Sequence, residues 1–162
     1  NRKQADGPVA REAVDLVDLV ENVVAAHSLP ARAKLMHTEL TLQARRCLAE
    51  PALLISVMDN LYSNAVHYGA ESGNIRIHSY RHGEQVRIDV ANSGEPIPAA
   101  EKNMIFEPFY QGSHQRKGAV KGSGLGLSIA RDCVRQMQGE LSLVDAPAGQ
   151  VCFRITLPSA PE

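Results

Sequence analysis

A chain of 162 residues with 44% apolar and 22% charged side chains has the size and composition of one globular domain with a core. The apolar fraction and a formal net charge of −1 exclude a disordered tail and leave no general positive field for nucleic acid. Cys47, Cys133 and Cys152 are too few and too scattered for a disulfide scaffold, and they read as reduced thiols buried as small apolar groups. No run approaches the roughly 18 apolar residues of a membrane span, and no signal peptide is visible. The chain begins at Asn1 rather than at a methionine and is expected to be a piece of a longer one.

Residues 1–8 read as a polar leader. Val17, Val20, Val23 and Val24 recur at helical spacing, with Asp15, Asp18 and Glu21 between them, and predict a helix over 17–34. Pro30 either kinks that helix or starts a second piece. Residues 37–42 alternate and predict a strand. Pro51 suits a first helical turn, so a second helix is expected from there to about 68, stopping at a Gly69 cap. Strands are expected over 74–80 and 85–91, joined by the turn Arg81-His82-Gly83-Glu84. Residues 92–98 read as a turn-rich loop. Phe106 and Phe109 flank Pro108 in a short apolar knot, and 111–122 reads as a mobile loop. A helix is expected over 123–137, ending at Gly139. Strands over 140–144 and 150–157 meet at Ala146-Pro147-Ala148-Gly149. Mixed helices and antiparallel hairpins predict a two-layer α/β sandwich with a mostly antiparallel sheet on about three helices.

On the helix after Pro51, Leu54, Val57, Met58, Leu61, Ala65 and Tyr68 form one stripe, and Asn60, Asn64 and His67 a narrower one at its edge. Polar groups there are half buried and need partners. The amides either satisfy local backbone groups or face a ligand. An amide oxygen suits hard Mg²⁺, which shares its shell with phosphates. Residues 108–131 hold no acidic side chain, yet they carry Arg116, Lys117, Lys121 and Arg131 and five of the twelve glycines. A glycine loop followed by a helix suits phosphate binding, because bare backbone N–H groups and the helix dipole both favour an anion. The alternative is a flexible surface loop. It is neither a Walker loop nor a dinucleotide fingerprint, because the spacings are wrong.

Four segments carry a resemblance. Asn60-Leu61-Tyr62-Ser63-Asn64-Ala65 resembles the N box of sensor histidine kinases, and Asn92-Ser93-Gly94-Glu95-Pro96-Ile97-Pro98 resembles their G1 box. Ile105-Phe106-Glu107-Pro108-Phe109-Tyr110 resembles the F box. Gly122-Ser123-Gly124-Leu125-Gly126-Leu127-Ser128-Ile129 resembles the G2 box. They occur in the family's order and spacing, over about 14–158. The resemblance implies the GHKL sandwich shared with gyrase, Hsp90 and MutL, binding ATP with Mg²⁺. By that resemblance Asn64 binds Mg²⁺, with Asn60 beside it on the phosphates and His67 as a basic phosphate contact. Tyr68 packs along the adenine, Asn92 reads its amino group, and Gly94 and Ile97 shape the base pocket. Arg116, Lys117 and Lys121 belong to a lid over the phosphates. Gly122, Gly124 and Gly126 let it hinge and bring N–H groups to the phosphates, and Ser123, Leu125 and Leu127 join them in the ATP site. Phe106 and Phe109 anchor its start or are ordinary core.

Two departures stand out. The family's G1 box usually reads Asp-x-Gly-x-Gly, and this chain has Asn92 and Pro96 there. Asn accepts neutrally where Asp accepts with charge assistance, a loss on the order of 1 kcal/mol or about fivefold in affinity. Pro96 restricts Glu95 toward extended geometry. The hydrolase and serine-kinase relatives carry a Glu where this chain has Asn60. An amide takes no proton at neutral pH, so the water-activating base is missing. The resemblance thus implies phosphoryl transfer to a histidine on a separate dimerisation domain, and from there to a cognate response regulator. None of the six histidines is followed by the acidic residue of the family's acceptor motif. The domain is expected over 14–158, with a linker remnant over 1–13 and a tail over 159–162, as the cytoplasmic part of an inner-membrane homodimer. A GHKL-type ATPase and a degenerate docking module are the alternatives.

Overall fold

The computed structural model describes residues 9–108, 110 and 126–161. The first strand, β1 (Glu12–Asp15), pairs antiparallel with β3 (Arg46–Ala49), burying Val14, Cys47 and Ala49. Neither was expected, since four residues are too short for alternation to show. Asp15 ends β1 and caps the next helix, its Oδ1 accepting from Val17 N at 2.9 Å and Asp18 N at 3.2 Å. Helix α1 (Leu16–Ala26) buries Leu16, Leu19, Val20 and Val23. It breaks at His27, and α2 (Ser28–Ala33) follows as a separate piece. Pro30 explains the position of the break. Its ring would clash with the carbonyl four residues earlier, at Ala26, so the helix must end there.

Strand β2 (His37–Leu42) lies where alternation placed it, as an edge strand parallel to β4 (Asn74–His82). Between them runs α3 (Pro51–Tyr68), with Pro51 in its first turn and Glu50 Oε1 accepting from Leu53 N at 3.0 Å. Its buried face includes Tyr62 and Val66, which the expected stripe lacked, and leaves Tyr68 half buried. Tyr62 is buried because its hydroxyl bonds Thr38 Oγ1 at 2.6 Å. Gly69 does not end α3 by a left-handed turn, because its φ is −70°. It is there because a Cβ would fall 2.5 Å from both Ala65 O and Met36 Cε.

Strands β4 and β5 (Gln85–Ser93) are longer than expected, since His82 pairs with Gln85 and only Gly83 and Glu84 turn the chain. Gly83 has φ +66°, the conformation such a turn demands. Asn92 lies on β5 rather than in the loop, in phase with buried Val86, Ile88 and Val90. After a 3₁₀ turn (Ala99–Glu101) and the residues outside the description comes α4 (Gly126–Gln136), then β6 (Glu140–Val144) and β7 (Gln150–Pro158). At the end of α4 it is Gln138, with φ 68°, that turns left-handed, while Gly139 lies where a Cβ would meet Thr156 O at 2.2 Å.

The five-stranded sheet has the order β2-β4-β5-β7-β6, antiparallel except for β2–β4. Ile75, Ile77, Ile88, Ile155, Leu157 and Leu141 are buried on the face that meets α1, α3 and α4. The opposite face carries polar pairs such as Asp89 and Arg154, joined by two bonds of 2.9 and 3.1 Å. This is the expected two-layer sandwich. Paired or buried residues also lie on both sides of the expected 14–158 span, at Glu12 and at Ala160. All three cysteines are free and buried, and burial pushes the Cys47 thiol up to about 12.

Candidate functional site

One cleft opens between the C-terminal half of α3 and the sheet end formed by β5 and β7, with a volume of about 550 Å³ including its mouth. Helix α3 contributes Leu61, Asn64, Ala65 and Tyr68 at helical spacing. Val90 and Asn92 come from alternate positions of β5, and Val151 and Phe153, paired opposite them on β7, continue the wall. Glu95, Ile97, Ile105 and Leu127 close it. The cleft is thus an apolar slot with a few polar groups at fixed places.

Asn92 is 9% exposed, and its Nδ2 donates to Ser93 O at 3.0 Å. The donor end is engaged, so Oδ1 is left as the acceptor. Gly94 matters here by its bareness. A Cβ on it would fall 3.2 Å from Asn92 Nδ2 and 3.3 Å from Tyr68 O, so any other residue would push these two lining residues aside by a few tenths of an ångström. The loop is tied down by Gly94 N donating to Gly149 O at 2.9 Å and Ala70 N to Ser93 O at 2.8 Å. Burial pushes the Tyr68 hydroxyl above its ordinary range, so the ring stays neutral. His67 meets that ring edge-on at 4.5 Å.

Asn64 is half buried, and no hydrogen bond to its amide is found among the described residues. No group of three His, Cys, Asp or Glu able to hold a metal occurs among the described residues either. A cation at Asn64 would therefore draw most of its shell from water and phosphate oxygens, the habit of Mg²⁺. Asn60 sits one turn earlier against the start of α4: a Cβ on Gly126 would lie 2.9 Å from both Asn60 Oδ1 and Nδ2. Phe106 packs between Phe153, at 6.2 Å and edge-on, and the Arg131 guanidinium, 4.4 Å above its ring. Lys34 Nζ donates to three carbonyls at the end of α3, and desolvation lowers its pKa.

Of the residues expected at the site, Asn64, Tyr68, Asn92, Ile97 and Leu127 line the cleft together. Asn60, His67, Gly94 and Gly126 lie beside it. Arg116, Lys117, Lys121, Gly122, Ser123, Gly124, Leu125 and Phe109 fall outside the described residues. Glu95, Val90 and Phe153 were not expected. Val90 could have been found from alternation in phase with Asn92, and Phe153 from alternation in phase with Ile155 and Leu157 on β7, but nothing local marks Glu95.

Residues 49–161 match the family described as histidine kinase-, DNA gyrase B-, and HSP90-like ATPase. The chain belongs to that family. It is 71% identical over 160 residues to the sensor histidine kinase GlrK of Escherichia coli K12, and equally to the sensor histidine kinase QseE of Escherichia coli O157:H7. In both cases the alignment covers 99% of this chain and 34% of the relative, so the chain spans about a third of their length. Among solved structures it resembles the nucleotide-free catalytic domain of the histidine kinase ThkA, with TM-score 0.81 and 28% identity over 94% of this chain and 98% of that one. ThkA in complex with the response regulator protein TrrA matches with TM-score 0.77 and 27% identity, over 93% and 42% of the two chains.

Proposed function

We propose that this chain is the ATP-binding catalytic domain of a sensor histidine kinase, binding Mg-ATP in the cleft and passing the γ-phosphoryl group to a histidine on a separate dimerisation domain. The observation that carries the reading is the convergence of Asn64, Tyr68 and Asn92 on one apolar slot. Adenine is planar and apolar on its faces, and it packs along Tyr68 with Ile97 and Leu127 closing the slot. Asn92 Oδ1 accepts from its amino group. The phosphates run toward Asn64, with Asn60 and His67 alongside. Asn64 would hold Mg²⁺ together with the phosphates, and the ion would supply charge neutralisation for phosphoryl transfer. By the resemblance of their segment to the G2 box and the stretch before it, Arg116, Lys117 and Lys121 are assigned to phosphate charge neutralisation and Gly122, Ser123, Gly124 and Leu125 to phosphate binding.

Transfer rather than hydrolysis is supported by what flanks Asn64. Among the described residues, Glu95 is the one carboxylate in the cleft lining, and it comes from the segment after β5, not from α3. Asn60 holds the place of a base and cannot accept a proton. An imidazole acceptor needs no such base. The parent is then a membrane-anchored homodimer with this domain on the cytoplasmic side and the residues ahead of β1 as the linker remnant. The phosphoryl group passes on to a response regulator, of the QseF/GlrR type. No helix among the described residues is long and apolar enough to cross a membrane.

The test is calorimetric titration with ATP and with GTP, each with and without Mg²⁺. Selective, Mg²⁺-dependent ATP binding is expected. Absence of ATP binding at millimolar nucleotide overturns the reading.

A further inference from the structure

Helix α3 must end at the cleft, because Asn64 and Tyr68 are on its last turns. A helix end leaves carbonyls without partners and carries the negative end of the dipole. Here one side chain answers both. Lys34 Nζ donates to Val66 O at 2.8 Å, His67 O at 2.9 Å and Gly69 O at 2.7 Å, so all three ammonium donors are used. The acceptors bracket Tyr68. The Lys34 carbonyl in turn accepts from Ser72 N at 2.8 Å, and His37 N donates to Gly73 O at 3.0 Å. Lys34 thus laces the end of α2 to the end of α3 from behind, while Ala70 N joins α3 to β5 in front.

We propose that Lys34 is a positioning residue for the nucleotide cleft, setting the last turn of α3 so that Asn64 and Tyr68 face Asn92 across it. This rests on the ATP-site reading above. Lys34 is not among the cleft-lining residues, so its effect must pass through the backbone it grips. Without the ammonium, three carbonyls lose their donor, and the last turn of α3 loses its link to α2, leaving Ala70 N on Ser93 O as the bond that ties it to β5. A bond that only stabilised the fold would leave affinity unchanged well below the melting temperature. One that sets the cleft would not.

The experiment compares wild type with Lys34→Met, which keeps the stem but no donor, and Lys34→Arg, which restores a cation. Ser79→Ala serves as control, because it removes a buried bond from Ser79 Oγ to Ala44 O, at a residue outside the cleft lining. ATP affinity is measured far below each melting temperature, with amide chemical shifts of nucleotide-free protein alongside. Lys34→Met is expected to weaken ATP by about tenfold, with shifts concentrated at 64–70 and 92–94. Lys34→Arg is expected to recover most of the affinity, and Ser79→Ala to keep all of it. ATP binding by Lys34→Met within twofold of wild type overturns the proposal alone, as does an equal loss in Ser79→Ala. Wild type that binds no ATP overturns the cleft reading as well. If Lys34→Met does not fold, Lys34→Leu, which also lacks a donor, is read by the same criteria.

Discussion

Asn92 uses its amide nitrogen on Ser93 O and keeps its oxygen for the cleft, so replacing it with aspartate has two opposed effects. The carboxylate offers the adenine amine a charge-assisted bond, a gain on the order of 1 kcal/mol. It also loses the donor to Ser93 O and places an anion beside a carbonyl. The second effect acts mainly on the empty protein. Asn92→Asp is therefore expected to melt lower without nucleotide, yet to bind ATP up to about fivefold more tightly and to discriminate better against GTP. Calorimetry and thermal melts of both proteins check this, and weaker ATP binding would mean that Asn92 makes another contact. Asn64 differs in having no hydrogen bond to lose among the described residues. Asn64→Ala is expected to unfold within about 1 kcal/mol of wild type but to lose Mg²⁺-dependent nucleotide binding. Unchanged Mg²⁺ dependence in the variant would remove the metal from Asn64.

At the scale of elements, the junction of α3 and α4 depends on a missing side chain. A Cβ on Gly126 would press on both polar atoms of Asn60 at 2.9 Å. That amide is the far end of a flexible side chain and can rotate away, and alanine is the better helix former. Gly126→Ala is thus expected to fold with little change in melting temperature while weakening ATP about fivefold, because Asn60 is displaced from the cleft edge. Equal affinity with a shifted Asn60 side-chain resonance would show that Asn60 does not touch nucleotide. The same junction shows what the sequence could and could not reveal. The four motifs, the stripe on α3 and the alternation of β2 and β5 were legible because each is periodic or local. β1 and β3 were not, since their pairing links 12–15 with 46–49, and four residues show no period. Gly69 does cap α3, as expected, but the crowding that also requires a bare residue there and at Gly139 comes in part from Met36 and Thr156, distant in sequence. Lys34 was missed for the same reason. Its acceptors lie more than thirty residues away.

For the molecule as a whole, the cleft supplies only half of a reaction. Under the proposed reading it has apolar walls for a base, at Asn64 an amide with no hydrogen bond among the described residues, and at Asn60 an amide where a hydrolase needs a carboxylate. None of its six histidines lies in the family's acceptor motif. The isolated chain is therefore expected to bind Mg-ATP with almost no turnover. Adding the parent's dimerisation domain in trans is expected to start phosphoryl transfer, slowly, because the tether's effective concentration, on the order of millimolar for a short linker, is lost. The product should be acid-labile and alkali-stable, as a phosphorylated imidazole is. Cations over the phosphates act most where charge spreads over the transferring oxygens, so Lys121→Ala should slow transfer more than it weakens binding. The measurement uses radiolabelled ATP with the chain alone, with the acceptor domain, and with Lys121→Ala, following both protein-bound label and free phosphate. Brisk phosphate release by the chain alone would put the protein with the hydrolases of its family. An acid-stable phosphoprotein would point to a hydroxyl acceptor, and then Asn60 could not be the reason that this domain spares water.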